Sequence, residues 1–197
     1  MLVHERLKGR RLILASRSPR RRELMAGCGL DFELAPDYAV EEVYPASLPA
    51  AEVPLYLASL KSEGYPLALA GDEILVTADT VVVLGGRILG KPHDQAEAVE
   101  MLRALSGRRH TVITGVVLRS ADRREEFSVS TDVWFSPLDE ETIDYYVERF
   151  RPLDKAGSYG IQEWIGYVGI ERIDGSFYNV MGLPVQRLWA RLGRFAE

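Results

Sequence analysis

The chain has 197 residues, 24 Lys plus Arg against 29 Asp plus Glu, a net charge of −5, 47% apolar and 27% charged residues; this is the balance of a globular chain long enough to bury a sizeable core. A single cysteine, Cys28, excludes an internal disulfide, and three scattered histidines (His4, His93, His110) argue against a zinc centre. The mild acidity argues against a broad nucleic-acid surface, and no apolar run approaches the roughly 18–20 residues of a membrane span.

Leu12 to Ser16 predicts a short buried strand, and Ser18-Pro19 a helix start with Ser at N-cap and Pro at N1, running to about Ala26 before Gly27-Cys28-Gly29. The four apolar residues Leu12 to Ala15 are too few for a secretory signal, so the cytoplasm is the expected compartment. Residues 34–53, with Pro36, Pro45 and Pro49, predict an extended loop. Pro54 opens a second helix with Leu57, Ala58 and Leu60 on one side and Lys61 towards its end. Ile74 to Leu84 is rich in Val, Ile and Thr and predicts a buried strand. Gly85-Gly86 turns it back into Arg87–Leu89. Asp94 with Glu97 predicts a capping box on a helix stopped by Ser106-Gly107.

His110–Arg119 and Glu126–Phe135 predict an antiparallel pair, the second with Phe127, Val129, Thr131, Val133 and Phe135 on one face. Asp139 caps a helix with Ile143, Tyr146, Val147 and Phe150 at helical spacing. A loop follows over 151–162, then a strand region over Trp164–Ile173, a turn at Asp174-Gly175 and a last helix from Pro184 with Leu188, Trp189, Leu192 and Phe195. Hairpins interrupt the alternation of strand and helix, so the expected class is α/β with a mixed sheet flanked by helices. With no repeat and no linker, residues 1–197 are expected to form a single domain.

Five stretches carry chemistry. Ser16-Arg17-Ser18-Pro19-Arg20-Arg21-Arg22 sets two hydroxyls and several guanidiniums at a helix N-terminus, where positive charge opposes the dipole unless an anion binds. Asp79 lies between apolar segments of a strand, where a carboxylate is costly unless paired or bound to a cation. Gly90-Lys91-Pro92 follows the hairpin, without the glycine-rich run of a P-loop. In Asp154-Lys155-Ala156-Gly157-Ser158-Tyr159-Gly160-Ile161-Gln162 two glycines allow close approach to a ligand, and the Gln162 amide suits a base edge. Residues 175–184 again place Gly and Asn before a helix and read structurally as a turn.

The segments LILASRSPRRREL (12–24), LASLKSE (57–63), TADTVVVLGGRILGKP (77–92), LSGRRHTVITGV (105–116), DKAGSYGIQ (154–162) and GSFYNVMGLP (175–184), in this order, closely resemble the Maf family of nucleoside triphosphate pyrophosphatases. The resemblance covers nearly the whole chain. It implies an elongated, curved mixed sheet and a central cleft between two lobes, similar to inosine-triphosphate pyrophosphatases. It implies hydrolysis between the α and β phosphates, aided by Mg²⁺ or Mn²⁺. It assigns the general base to Asp79, phosphate contacts to Ser16, Ser18, Arg20, Arg21, Lys61 and Lys91, and metal ligation to Glu42, beside Glu41, together with Asp79. The DKAGSYGIQ loop resembles the branch preferring dTTP and UTP, whose specificity positions fall on Arg20, Thr80 and Gln162. Glu163 to Tyr167 departs from the commoner glycine-rich continuation. The family leans to homodimers, and neither a nucleic-acid nor a membrane partner is expected for this chain.

Only four of the 24 basic residues are lysines, and three of them, Lys61, Lys91 and Lys155, lie in these motifs; Lys8 does not. Two other classes of function compete. One is a regulatory binding role in cell division, since the family was named for inhibiting septum formation. The other is nucleic-acid binding through Ser18-Pro19-Arg20-Arg21, which the net charge of −5 disfavours.

Overall fold

The computed structural model describes residues 2–196. Its elements run α1 (Val3–Arg6), β1 (Arg11–Ala15), α2 (Pro19–Gly27), β2 (Glu33–Leu34), α3 (Val53–Glu63), β3 (Glu73–Leu84), β4 (Arg87–Leu89), α4 (Gln95–Leu105), β5 (Arg109–Arg119), β6 (Arg124–Phe135), α5 (Glu140–Phe150), α6 (Trp164–Gly169), β7 (Ile170–Asp174), α7 (Phe177–Met181) and α8 (Val185–Phe195), with a 3-10 turn at Ala156–Ser158. The seven strands form one sheet in the order β2-β1-β3-β5-β6-β7, with β4 paired to β3. β1 is parallel to both β2 and β3, whereas β3–β4 and β6–β7 are antiparallel. The α/β class and the mixed sheet are as expected.

Local chemistry explains most of these elements. β1 and the first half of β3 are buried almost continuously, as parallel strands covered on both faces are. The β3–β4 turn uses Gly85 and Gly86 at φ 56° and 83°, a pair of positive angles that only glycine accepts cheaply. Asp94 and Asp139 accept the N–H groups of Glu97 and Thr142 and so cap α4 and α5. The Glu97 carboxylate takes the N–H of His93, one residue earlier than the reciprocal partner in a full capping box. Ser18 occupies the N-cap position of α2, but its hydroxyl accepts no capping bond.

Two expectations need correction. The first half of the strand expected over Trp164–Ile173 is helix α6, and only Ile170–Asp174 is extended. Ile165 and Gly169 are buried four residues apart while Tyr167 and Val168 face solvent, a helical spacing that overrides their β propensity. Gly166 makes this possible, because a Cβ there would lie 1.8 Å from the Ile161 carbonyl oxygen. The segment read as a turn before Pro184 contains α7, held by Asn179, whose Nδ2 donates to Val112 O at 3.1 Å and Thr131 Oγ1 at 3.0 Å. The N-terminal stretch forms the short helix α1, which no pattern in the sequence announces.

The chain divides into two compact units, each discontinuous in sequence. The first holds the residues up to Asp79, Thr114–Val129 and those from Gly182 onwards. It includes a cluster of Ile13, Ala15, Tyr65 and Leu75. The second, Thr80–Ile113 and Ser130–Met181, has a larger core around Leu102, Phe135, Ile143, Tyr146 and Ile165. Among the described residues no helix is long and apolar enough to cross a membrane.

His110 is buried in the second core, stacked on Phe135, with Nε2 2.6 Å from Tyr159 Oη. Burial pulls its pKa down to about 4. Between an unfolded value near 6.5 and this folded value, the unfolded chain binds a proton that the folded chain does not. Stability contributed by neutral His110 is therefore present above about pH 6.5 and lost as pH falls, by roughly 3 kcal/mol at pH 4. Urea unfolding at a series of pH values should show this slope, and His110→Gln should flatten it.

Candidate active site

In the first unit a short chain of contacts builds a charged cluster. Thr77 and Asp79 lie two residues apart on β3 and share one face. Ala58 and Lys61 lie three residues apart on α3 and also share a face. The Thr77 hydroxyl donates to Ala58 O at 2.7 Å, fixing helix to strand at the first pair. The second pair then meets: Lys61 Nζ lies 2.5 Å from Asp79 Oδ1. Their side chains are only 18% and 13% exposed. The strand carboxylate thus has the cationic partner its apolar neighbours require.

Glu42 joins from the long loop before α3. Tyr38 Oη donates to the Lys61 carbonyl at 2.7 Å, and Val40 packs against Gly64, where a Cβ would lie 2.7 Å from Val40 Cγ2. These contacts seat the loop over the end of α3 and bring Glu42 Oε2 to 3.1 Å from Lys61 Nζ. One ammonium bridges two carboxylates, of which Glu42 is the more exposed.

The arginine-rich turn after β1 is anchored beside this cluster. Ser16 Oγ accepts the Ser18 N–H at 3.2 Å and meets Arg21 Nη1 at 3.4 Å. Arg21 also donates to Ala78 O at 2.9 Å and, through Nε, to Gly182 O at 2.7 Å. Burial pulls the Arg21 guanidinium below the ordinary arginine range, while the charges of Asp79 and Glu42 oppose that shift and Arg20 adds to it. Arg21 is therefore a tether as well as a charge. Arg17 turns away to Asp37 at 3.1 Å.

Ser16, Arg21, Lys61, Asp79 and Glu42 are thus brought together, with Ser18 and Arg20 on the same turn. The other expected site residues belong to the second unit. Thr80 follows Asp79 in β3 and is half-buried. Lys91 is exposed just after β4, and the preceding Gly90 carbonyl accepts the N–H of Gly157 at 3.0 Å. Gln162 closes the 154–162 loop, and its Oε1 is buried without a hydrogen-bond partner among the described residues.

The sequence reading missed three partners. Lys155 is buried against Glu163, and Glu163 also accepts from Tyr146 Oη. Tyr146 reads from its spacing as a core residue only. Glu163 stands where the chain leaves the glycine-rich pattern, which was the available signal.

A family model described as Maf-like protein matches residues 11–195. A dTTP/UTP pyrophosphatase from Porphyromonas gingivalis is 52% identical over 195 residues, 98% of each chain. A dTTP/UTP pyrophosphatase from Phocaeicola vulgatus is 50% identical over 188 residues, 95% of this chain and 97% of its own. Among solved structures, a nucleoside-triphosphatase / dITP/XTP pyrophosphatase from Mycobacterium abscessus overlaps with a TM-score of 0.43 at 17% identity, over 94% of this chain and 96% of its own. The match across nearly all of the chain, with half-identity to full-length relatives, places the chain in the Maf-like protein family.

Proposed function

We propose that the protein hydrolyses dTTP and UTP to the monophosphate and pyrophosphate. What carries the reading is the meeting of Asp79, Glu42 and Lys61 in a chain half-identical to two dTTP/UTP pyrophosphatases. In this reading Asp79 takes the proton of the water that attacks the α-phosphorus, and the bond to the bridging oxygen breaks to release pyrophosphate. Lys61, held on Asp79 Oδ1, orients that carboxylate and brings positive charge to the phosphates. Ser16, Ser18, Arg20, Arg21 and Lys91 are assigned phosphate contacts.

The donor set fits a divalent cation. Two carboxylates, Asp79 and Glu42, converge on one cationic position, and oxygen donors suit a hard ion. Such an ion would be held by one or two carboxylates and the substrate's own phosphates. When bound, Mg²⁺ or Mn²⁺ would neutralise triphosphate charge as a Lewis acid.

Gln162 is assigned the base. Its Oε1 is buried without a hydrogen-bond partner among the described residues; turned towards a base, the amide oxygen can accept the N3–H of uracil or thymine, whereas N3 of cytosine carries no proton. Thr80 and Arg20 share the selectivity role in this reading. Gln162→Ala should lower the preference for dTTP over ATP by about tenfold while slowing the best substrate less; an unchanged ratio removes Gln162 from recognition. The function itself is tested by a nucleotide panel with Mg²⁺. Pyrophosphate from dTTP and UTP supports it, and orthophosphate alone overturns it.

A further inference from the structure

The loop that carries Gln162 is braced more heavily than a surface connection requires. Lys155 is buried, and its Nζ meets Asp154 Oδ1 at 2.7 Å and Glu163 Oε1 at 3.1 Å. The other Glu163 oxygen, Oε2, accepts from Tyr146 Oη on α5. Tyr146 is fully buried, and its Oη accepts the Gly160 N–H at 3.0 Å. These bonds join Lys155, Glu163, Tyr146 and Gly160 around both flanks of Gln162, with buried Ile161 between.

The backbone of the same loop is held in a costly shape. Ser158 is buried at φ 61°, and Gly157, at φ 67°, lies so close to Val82 that a Cβ would come within 3.0 Å of its Cγ1. Such angles persist only where the surroundings over-determine them. Apolar side chains could fill this space without the cost of desolvating a lysine and a carboxylate. What the polar brace adds is direction: each Glu163 oxygen has its own partner, and the residue framed between them is the one with an unmatched buried amide oxygen.

We propose that Glu163, acting through Lys155 and Tyr146, is a positioning residue for Gln162 and sets how strongly the protein separates uracil and thymine nucleotides from the others. The inference rests on the reading that Gln162 recognises the base. It also gives a purpose to the departure from a glycine-rich continuation, since the side chain at 163 supplies both brace contacts.

The test measures kcat and KM for dTTP, UTP, CTP and ATP in the unaltered chain, in Glu163→Gln and Tyr146→Phe, and in Glu163→Gln combined with Gln162→Ala. Glu163→Gln keeps the volume, and Tyr146→Phe keeps the packed ring. Each single variant should reduce the dTTP-to-ATP ratio of kcat/KM by about tenfold, mainly through KM for dTTP, with kcat changed by less than about threefold. In the Gln162→Ala background Glu163→Gln should change the ratio no further, because both act on one interaction. Unchanged ratios in both single variants overturn the proposal, as does an equal drop in the Gln162→Ala background. If the unaltered chain releases no pyrophosphate from dTTP or UTP, the functional reading itself fails, and this appears before any substitution is compared.

Discussion

Asp79→Asn should lower kcat for pyrophosphate release by about 100-fold or more while the protein stays folded. The substitution keeps the shape of the side chain and removes its ability to take a proton. Lys61 does not lose every anionic partner, because Glu42 remains 3.1 Å from its Nζ. The change should therefore appear in turnover far more than in stability. Steady-state kinetics with dTTP and Mg²⁺, read beside a thermal melt, separates the two effects. Near-normal turnover would take Asp79 out of the chemistry.

Gly115→Ala should be among the most destabilising single-methyl additions in the molecule. A Cβ at this point of β5 would lie 2.3 Å from both the N and Cα of Leu55 and 2.5 Å from the Pro54 carbonyl carbon. All three are backbone atoms at the start of α3, so no side chain can swing aside. The helix must lift from the sheet, at a cost of about 3 kcal/mol or more. Lys61 rides on that helix, so activity should fall with stability. Gly27→Ala is the control, because a Cβ there meets nothing within 4 Å and stability should hold or rise slightly. Urea unfolding of both variants checks the pair, and a Gly115→Ala protein as stable as the parent would refute the close approach.

Elements specified by neighbouring residues were legible in the sequence. Gly85-Gly86, Asp94 and Asp139 each act within a few positions, and the hairpin and the two capped helices fall where those residues place them. α6 was not legible, because Trp164, Ile165, Tyr167 and Val168 favour strands and the contact that seats Gly166 on Ile161 is tertiary. α7 depends in the same way on Asn179 reaching β5 and β6.

Within the site, Asp79 stood out because a carboxylate in an apolar strand needs a reason. Lys61, apart from the family resemblance, is only a lysine in the last turn of α3. Its significance comes from the Thr77–Ala58 hydrogen bond and from Tyr38, neither of which any local pattern encodes. The brace around Gln162 was hidden similarly, since periodicity shows that Tyr146 is buried but not where its hydroxyl goes.

The ammonium between Asp79 and Glu42 has a consequence for how the protein comes into being. Two carboxylates that reach one point would ordinarily repel each other in a substrate-free chain. Lys61 is a resident counter-ion, built into the polypeptide rather than drawn from solution. The newly made chain can close this corner of its structure with charge carried in its own sequence.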